Sequence, residues 1–229
     1  MAKILFGDGI TDARGKTGGS VYTKNRYGAV RRRKVSPTQP RTSFQMAVRA
    51  HFATLTQGFR ALTASQIAAW NAATANFAKT NVFKQAKHLT GHALYIALNR
   101  NLQTIGASLI SDPPTPTGVD ANLVLSGAAS VGGGTMTATL DTTVTAGSTL
   151  VVEATPQLSA GKQPAKNNYR VIGTFAAAHA ASLNIYAMWT AKFGGLTAIG
   201  SNIGVRVSNV NTTTGEKTPY NSTKIVVAA

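Results

Sequence analysis

The chain has 229 residues and carries 23 Lys and Arg against 7 Asp and Glu, a net charge of +16. Hydrophobic residues are 43% of it, enough for a packed core, which excludes a wholly disordered chain. No cysteine is present, so disulfides, thiolate metal sites and a cysteine nucleophile are excluded. Seven carboxylates also leave little material for acid–base chemistry, and the composition argues against an enzyme. No apolar run approaches a membrane span, and the start Met1–Ile10 is too short and interrupted for a signal peptide, so no membrane partner is expected.

The charge is concentrated at one end. Residues 1–111 hold 16 basic and 2 acidic residues, and no carboxylate lies between Asp12 and Asp112. Internal salt bridges therefore cannot neutralise this half, which points to an anionic partner. Residues 1–41 read as an extended basic arm, Gly-rich, ending at Ser36-Pro37-Thr38-Gln39-Pro40, and gaining order from a neighbour. The candidate contacts are Lys16, Lys24, Arg26, Arg31, Arg32, Arg33, Lys34 and Arg41. Tyr22 and Tyr27 are interleaved with them, either to stack on bases while the cations meet phosphates, or to pack under a neighbouring protein whose acidic face meets the arginines.

Residues 42–111 read as a helical domain. Phe44, Val48, Phe52, Leu55, Phe59 and Leu62 recur at steps of three and four, one face of a helix over about 42–62. Thr63-Ala64-Ser65-Gln66 is a capping box that opens a second helix, with Ile67, Trp70 and Phe77 at helical spacing. A third starts near Thr90 and ends at Gly106, a left-handed cap. Lys79–Leu89 between them reads as a loop.

Residues 112–118, Asp112-Pro-Pro-Thr-Pro-Thr-Gly118, read as a semi-rigid spacer. Residues 119–229 alternate in short Thr-, Val- and Ala-rich runs. Strands are expected near 123–128, 135–140, 149–155, 169–175, 185–193, 202–210 and 224–227. Seven short strands in this length predict an immunoglobulin-like or fibronectin-like β-sandwich, and the whole chain an α+β fold.

The remaining motifs carry little chemistry. Gly15-Lys16-Thr17 resembles the end of a phosphate loop, but Ile10 stands where the first glycine belongs and no helix follows. His88 and His92 are four apart but straddle a helix start and have no nearby carboxylate. Asn211-Thr-Thr and Asn221-Ser-Thr match a glycosylation acceptor by chance in a Thr-rich chain. No strand–Gly-x-Ser-x-Gly–helix context exists for a nucleophilic serine. No catalytic residue, metal ligand or cofactor is assigned.

Several short motifs occur in order: Gly15-Lys-Thr-Gly-Gly-Ser-Val-Tyr22, Asn25-Arg-Tyr-Gly28, a basic cluster, Pro37-Thr-Gln-Pro40, Leu62-Thr-x-x-Gln66-x-x-x-Trp70 and Leu89-Thr-Gly91-x-x-Leu94-Tyr95. In this the chain resembles a poorly characterised group of proteins encoded in tailed-phage and prophage genomes. The resemblance implies a virion or assembly context: a non-enzymatic structural protein associated with the capsid, the head–tail junction or the tail. Other virion proteins and copies of itself would be its partners, in the virion and, during assembly, in the host cytoplasm. The alternative is a nucleic-acid-binding protein for genome packaging or organisation.

Overall fold

The computed structural model describes residues 2–25, 28–77, 79–80, 86–87 and 89–229. The chain divides into two compact units, residues 1–46 and 47–229.

The first unit is a four-stranded antiparallel sheet rather than an extended arm. Its strands are β1 (Ala2–Lys3), β2 (Gly15–Thr17), β3 (Ser20–Asn25) and β4 (Gly28–Arg33), in the order β1-β4-β3-β2. The chain reverses between β2 and β3 in two residues, Gly18-Gly19, with Gly18 at φ 53°, a conformation glycine adopts without steric cost. Val21 and Val30 are buried. Residues 34–42 are exposed throughout. The sheet satisfies backbone hydrogen bonds but buries few apolar side chains.

In the second unit, α1 (Ser43–Arg60, its first residues in the first unit), α2 (Ala64–Ala73) and α3 (Gly91–Ile105) pack around Trp70, Leu94, Tyr95 and Leu98. Both halves of the Thr63–Gln66 capping box form, Thr90 caps α3, and Gly106 closes it at φ 71°. Gly58 lets α1 approach α3: a Cβ there would lie 2.9 Å from the Tyr95 hydroxyl. The α1 stripe is only half used. Leu55 is 1% exposed, whereas Phe44, Val48 and Phe52 are 55% exposed or more. Between α2 and α3, two-residue strands β5 (Lys79–Thr80) and β6 (Ala86–Lys87) pair within the stretch expected to be loop.

Seven strands follow: β7 (Val124–Ser130), β8 (Thr135–Leu140), β9 (Ser148–Ala154), β10 (Arg170–Phe175), β11 (Ser182–Asn184), β12 (Asn202–Asn211) and β13 (Asn221–Ala228). Antiparallel pairing makes two groups, β11-β8-β7 and β10-β9-β12-β13, joined only by a two-residue parallel pairing of β13 with β7. This is a β-sandwich-like body within an α+β chain. Its core takes Met136, Leu140 and Leu183 from one group and Leu150, Val152, Val205, Val207 and Ile225 from the other.

The stretch 185–193, expected to be a strand, is helix α4 (Tyr186–Phe193). Its sequence satisfies both periods: Ile185, Ala187 and Trp189 alternate, while Ile185, Trp189 and Phe193 recur every four. The helical period prevails, because Ile185 and Trp189 are buried and Ala187 is exposed. Trp189 Nε1 donates to the Thr155 carbonyl at 2.9 Å. The strand that replaces the expected one, β11, is only three residues long, too short to leave a pattern.

The helices and the sandwich, expected as separate bodies on a spacer, belong to one unit because the spacer is tied at both ends. Trp70 Nε1 donates to the Ser111 carbonyl at 2.7 Å, and Gln66 Nε2 to Asp112 at 3.1 Å. At the other end the Thr117 N–H donates to Glu216 at 3.0 Å. Asn101 Nδ2 on α3 donates to the Gly215 carbonyl at 2.8 Å.

Candidate anionic-partner interface

Strand geometry decides how the basic cluster is presented. In the β3–β4 pair, Ser20 opposes Arg33, Val21 opposes Arg32 and Tyr22 opposes Arg31. Directly opposed residues share a face and successive residues alternate. Arg31 and Arg33 therefore lie on one face with Ser20, Tyr22 and Lys24, and Arg32 lies on the other with Lys16, which opposes Val21. The run Arg31-Arg32-Arg33 is thus split across both faces of a ribbon.

On the first face Arg31 Nε donates to Ser20 Oγ at 3.0 Å, and its guanidinium lies 5.9 Å from the centre of the Tyr22 ring. The bond and the ring contact hold Arg31 in place on that face. Lys34 continues from the strand end, its N–H bonded to the Gly19 carbonyl at 2.8 Å. Arg41 sits in the exposed segment before α1 at φ 50°. Arg26 and Tyr27 lie outside the described residues, as does His88. Among the described residues, the carboxylate pairing in this unit is Asp12 with Arg14 at 3.0 Å, and none of Lys16, Lys24, Arg31, Arg32, Arg33, Lys34 or Arg41 is in an ion pair.

Sequence reasoning missed the apolar neighbours of Arg31. Ile4, Phe6, Ile10 and Tyr22 line a cavity of about 560 Å³ together with Arg14 and Arg31. The alternation of Ile4 and Phe6 was the available signal. The arrangement can receive an anionic group beside apolar surface; it holds no nucleophile with an adjacent base.

A second charged cluster escaped the sequence altogether. Glu153 on β9, 5% exposed, accepts from Arg206 Nε on β12 at 2.9 Å and from its terminal nitrogen at 2.5 Å. The guanidinium is sandwiched between the rings of Tyr169 and Tyr220, at 4.3 and 4.1 Å. Lys217 Nζ lies 3.8 Å from Glu153 and donates to the Tyr220 hydroxyl at 2.9 Å. Burial pulls Lys217 below its ordinary range, with Arg206 adding to the shift and Glu153 opposing it. Burial raises Tyr169 and Tyr220, and the Glu153 carboxylate adds to both. The partners come from positions 153 to 220, so only a charged residue inside the apolar run Leu150–Ala154 hinted at the cluster. It closes the outer face of the sheet.

The His92 ring lies tilted against Phe59 with ring centres 4.9 Å apart, and His179 meets Phe175 edge-on at 4.5 Å. Among the described residues, no helix is long and apolar enough to cross a membrane.

No protein-family model matches the chain, and no curated protein matches it. Among solved structures, the crystal structure of a Fn3-like protein from Clostridium thermocellum aligns over 48% of this chain and 91% of its own, at 17% identity and a TM-score of 0.31.

Proposed function

We propose that this is a non-enzymatic structural protein of a tailed-phage particle, anchored to neighbouring subunits by its basic N-terminal ribbon. The observation that carries the reading is the unneutralised charge of that ribbon. Arginines and lysines stand on both of its faces without a carboxylate partner among the described residues, so their counter-charge must come from outside. A ribbon charged on both faces suits insertion between two acidic surfaces. Repetition around a particle supplies the avidity that one such contact lacks. The order β11-β8-β7 beside β10-β9-β12-β13, three strands facing four, supports a fibronectin-like assignment of the sandwich. That module would be the outward body and the ribbon its anchor. The helices, joined to the sandwich through the Asn101–Gly215 hydrogen bond, transmit the attachment.

The second reading is nucleic-acid binding during packaging. Arg31 over the Tyr22 ring favours it, since a planar cation beside an aromatic ring is a stacking platform. One paired measurement separates the two. Arg31, Arg32, Arg33 and Lys34 are replaced together by Ala, and both particle incorporation and duplex binding across salt are measured. The structural reading expects incorporation to fall and free nucleic acid to bind weakly. The packaging reading expects a log–log salt slope near about −5, for roughly six neutralised phosphates, that flattens in the variant. If neither quantity changes, the cluster is a solvated charge run and both readings fail.

A further inference from the structure

Lys217 stands apart from the other lysines of residues 112–229. Lys162, Lys166, Lys192 and Lys224 are exposed, whereas the Lys217 side chain is only 22% exposed. An ammonium carries three N–H donors. Here Nζ donates to the Tyr220 hydroxyl at 2.9 Å, and its distance to Glu153 Oε1 is 3.8 Å, beyond hydrogen-bond reach. The other oxygen of that carboxylate already accepts twice from Arg206. The adjacent Glu216 carboxylate accepts from Thr117 and Thr214 instead. The groups around Nζ are thus Glu153 on β9, Arg206 on β12 and Tyr220, with Tyr169 on the far side of the guanidinium. They set two cations on one carboxylate in a largely desolvated place. Loss of the Lys217 proton leaves one cation on one carboxylate, the balanced arrangement. Burial and Arg206 both disfavour the charged amine, and Glu153 opposes them only in part.

We propose that Lys217 is a covalent modification site, an amine that takes up a small aldehyde as an imine. The nitrogen lone pair attacks the carbonyl carbon, and the π pair of the carbonyl moves to its oxygen. A proton passes from nitrogen to that oxygen and gives the carbinolamine. The hydroxyl then leaves as water with the second proton of the nitrogen, and C=N remains. One amine and one aldehyde give one imine and one water, with nothing oxidised or reduced. A lysine becomes nucleophilic when it is desolvated or set beside another cation, and Lys217 is both. The unprotonated imine nitrogen has no N–H left, so it makes no demand on acceptors that the site does not supply. The aldehyde is small because the Tyr220 ring, its centre 4.4 Å from Nζ, stands over an amine of limited exposure. Uptake is stoichiometric, without turnover, and involves no residue of the basic ribbon.

The test uses the full-length chain with acetaldehyde and sodium cyanoborohydride, which traps the imine as an ethylated lysine. Peptide mass spectrometry reads the labelling rate of each lysine as pH is varied. The quantity compared is the ratio of the Lys217 rate to that of exposed Lys224, in which the pH dependence of the reductant cancels. Near about pH 7.5 Lys217 should be labelled at least about fivefold faster than Lys224. The ratio should fall as pH approaches about 10.4, where an ordinary lysine also supplies its free amine and exposure favours Lys224. Arg206→Gln removes the competing cation and frees Glu153 for Lys217, so with unchanged circular dichroism it should slow Lys217 by about threefold or more. A Lys217 rate no greater than that of Lys224 near neutral pH, or a ratio that does not change with pH, overturns the proposal. So does a folded Arg206→Gln protein whose Lys217 is labelled as fast as before. If that variant does not fold, the ratio in the native protein and its pH dependence decide alone.

Discussion

Trp70 shows how one side chain joins two parts of the chain. It is fully buried, edge-on to Tyr95 at 5.3 Å, and its indole N–H holds the Ser111 carbonyl at 2.7 Å. Trp70→Ala should therefore cost about 3–5 kcal/mol, the range for a large aromatic deleted from a core. It should also release the start of the 112–118 segment. Denaturant titration gives the first effect, and amide exchange at residues 110–112 the second. Lys217 makes a prediction of opposite character. Its folded-state pKa lies below the unfolded value of 10.5, so the unfolded chain binds more protons in the window between the two. Its contribution is fully favourable above 10.5 and is lost as pH falls through the folded value. The stability of the native protein relative to Lys217→Met should rise as pH increases toward 10.5. Tyr169 and Tyr220, raised in the folded state, pull the other way above 10.0. Lys217 touches Tyr220, so the two do not cancel above 10.0; well below 10.0 both tyrosines stay protonated folded and unfolded, and the slope of the difference curve there reports the lysine. A flat difference curve would show that Lys217 is solvated.

At the scale of elements, the junction between α3 and the loop after β12 is narrow. Gly215 has φ 72°, and a Cβ on it would lie 2.5 Å from the Leu98 carbonyl oxygen. Gly215→Ala should therefore destabilise by about 2 kcal/mol or more, through the left-handed backbone and the clash together. Thermal unfolding should show it in the helical signal and the sandwich signal alike. Elements whose signals are local were legible in the sequence: the Thr63–Gln66 capping box, the Thr90 cap and Gly106 bound their helices as read. Thr135–Leu140 was placed to the residue. Elements decided by competition were not. The stretch after Asn184 carried two periods at once, and the choice between them depended on which face met the sandwich core. The α1 stripe was legible as a stripe, but not the point along it where burial stops.

For the whole molecule, the ties at Ser111, Asp112 and Thr117 predict that the helices and the sandwich of residues 47–229 unfold together. The two tryptophans test this directly, one in each part: Trp70 on α2 and Trp189 on α4. In the paired variants Trp70→Phe and Trp189→Phe, the remaining tryptophan should report the same denaturant midpoint as circular dichroism of that variant. Separated midpoints within one variant would show two independent bodies on a spacer.

The division of charge, the helices with their caps, most strands of the second half and the candidate cations were determined by the sequence alone. Each depends on composition or on residues a few positions apart. Tertiary structure decided the rest. It folded residues 2–33 into a sheet and so split the arginine run across two faces. It tied the Pro-rich segment down at both ends, and it placed Arg206 between two tyrosines over Glu153. The ties of the Pro-rich segment and the Arg206 cluster join residues about 40 to 100 positions apart, and a short-range pattern carries no record of which distant side chain will satisfy a buried donor or charge.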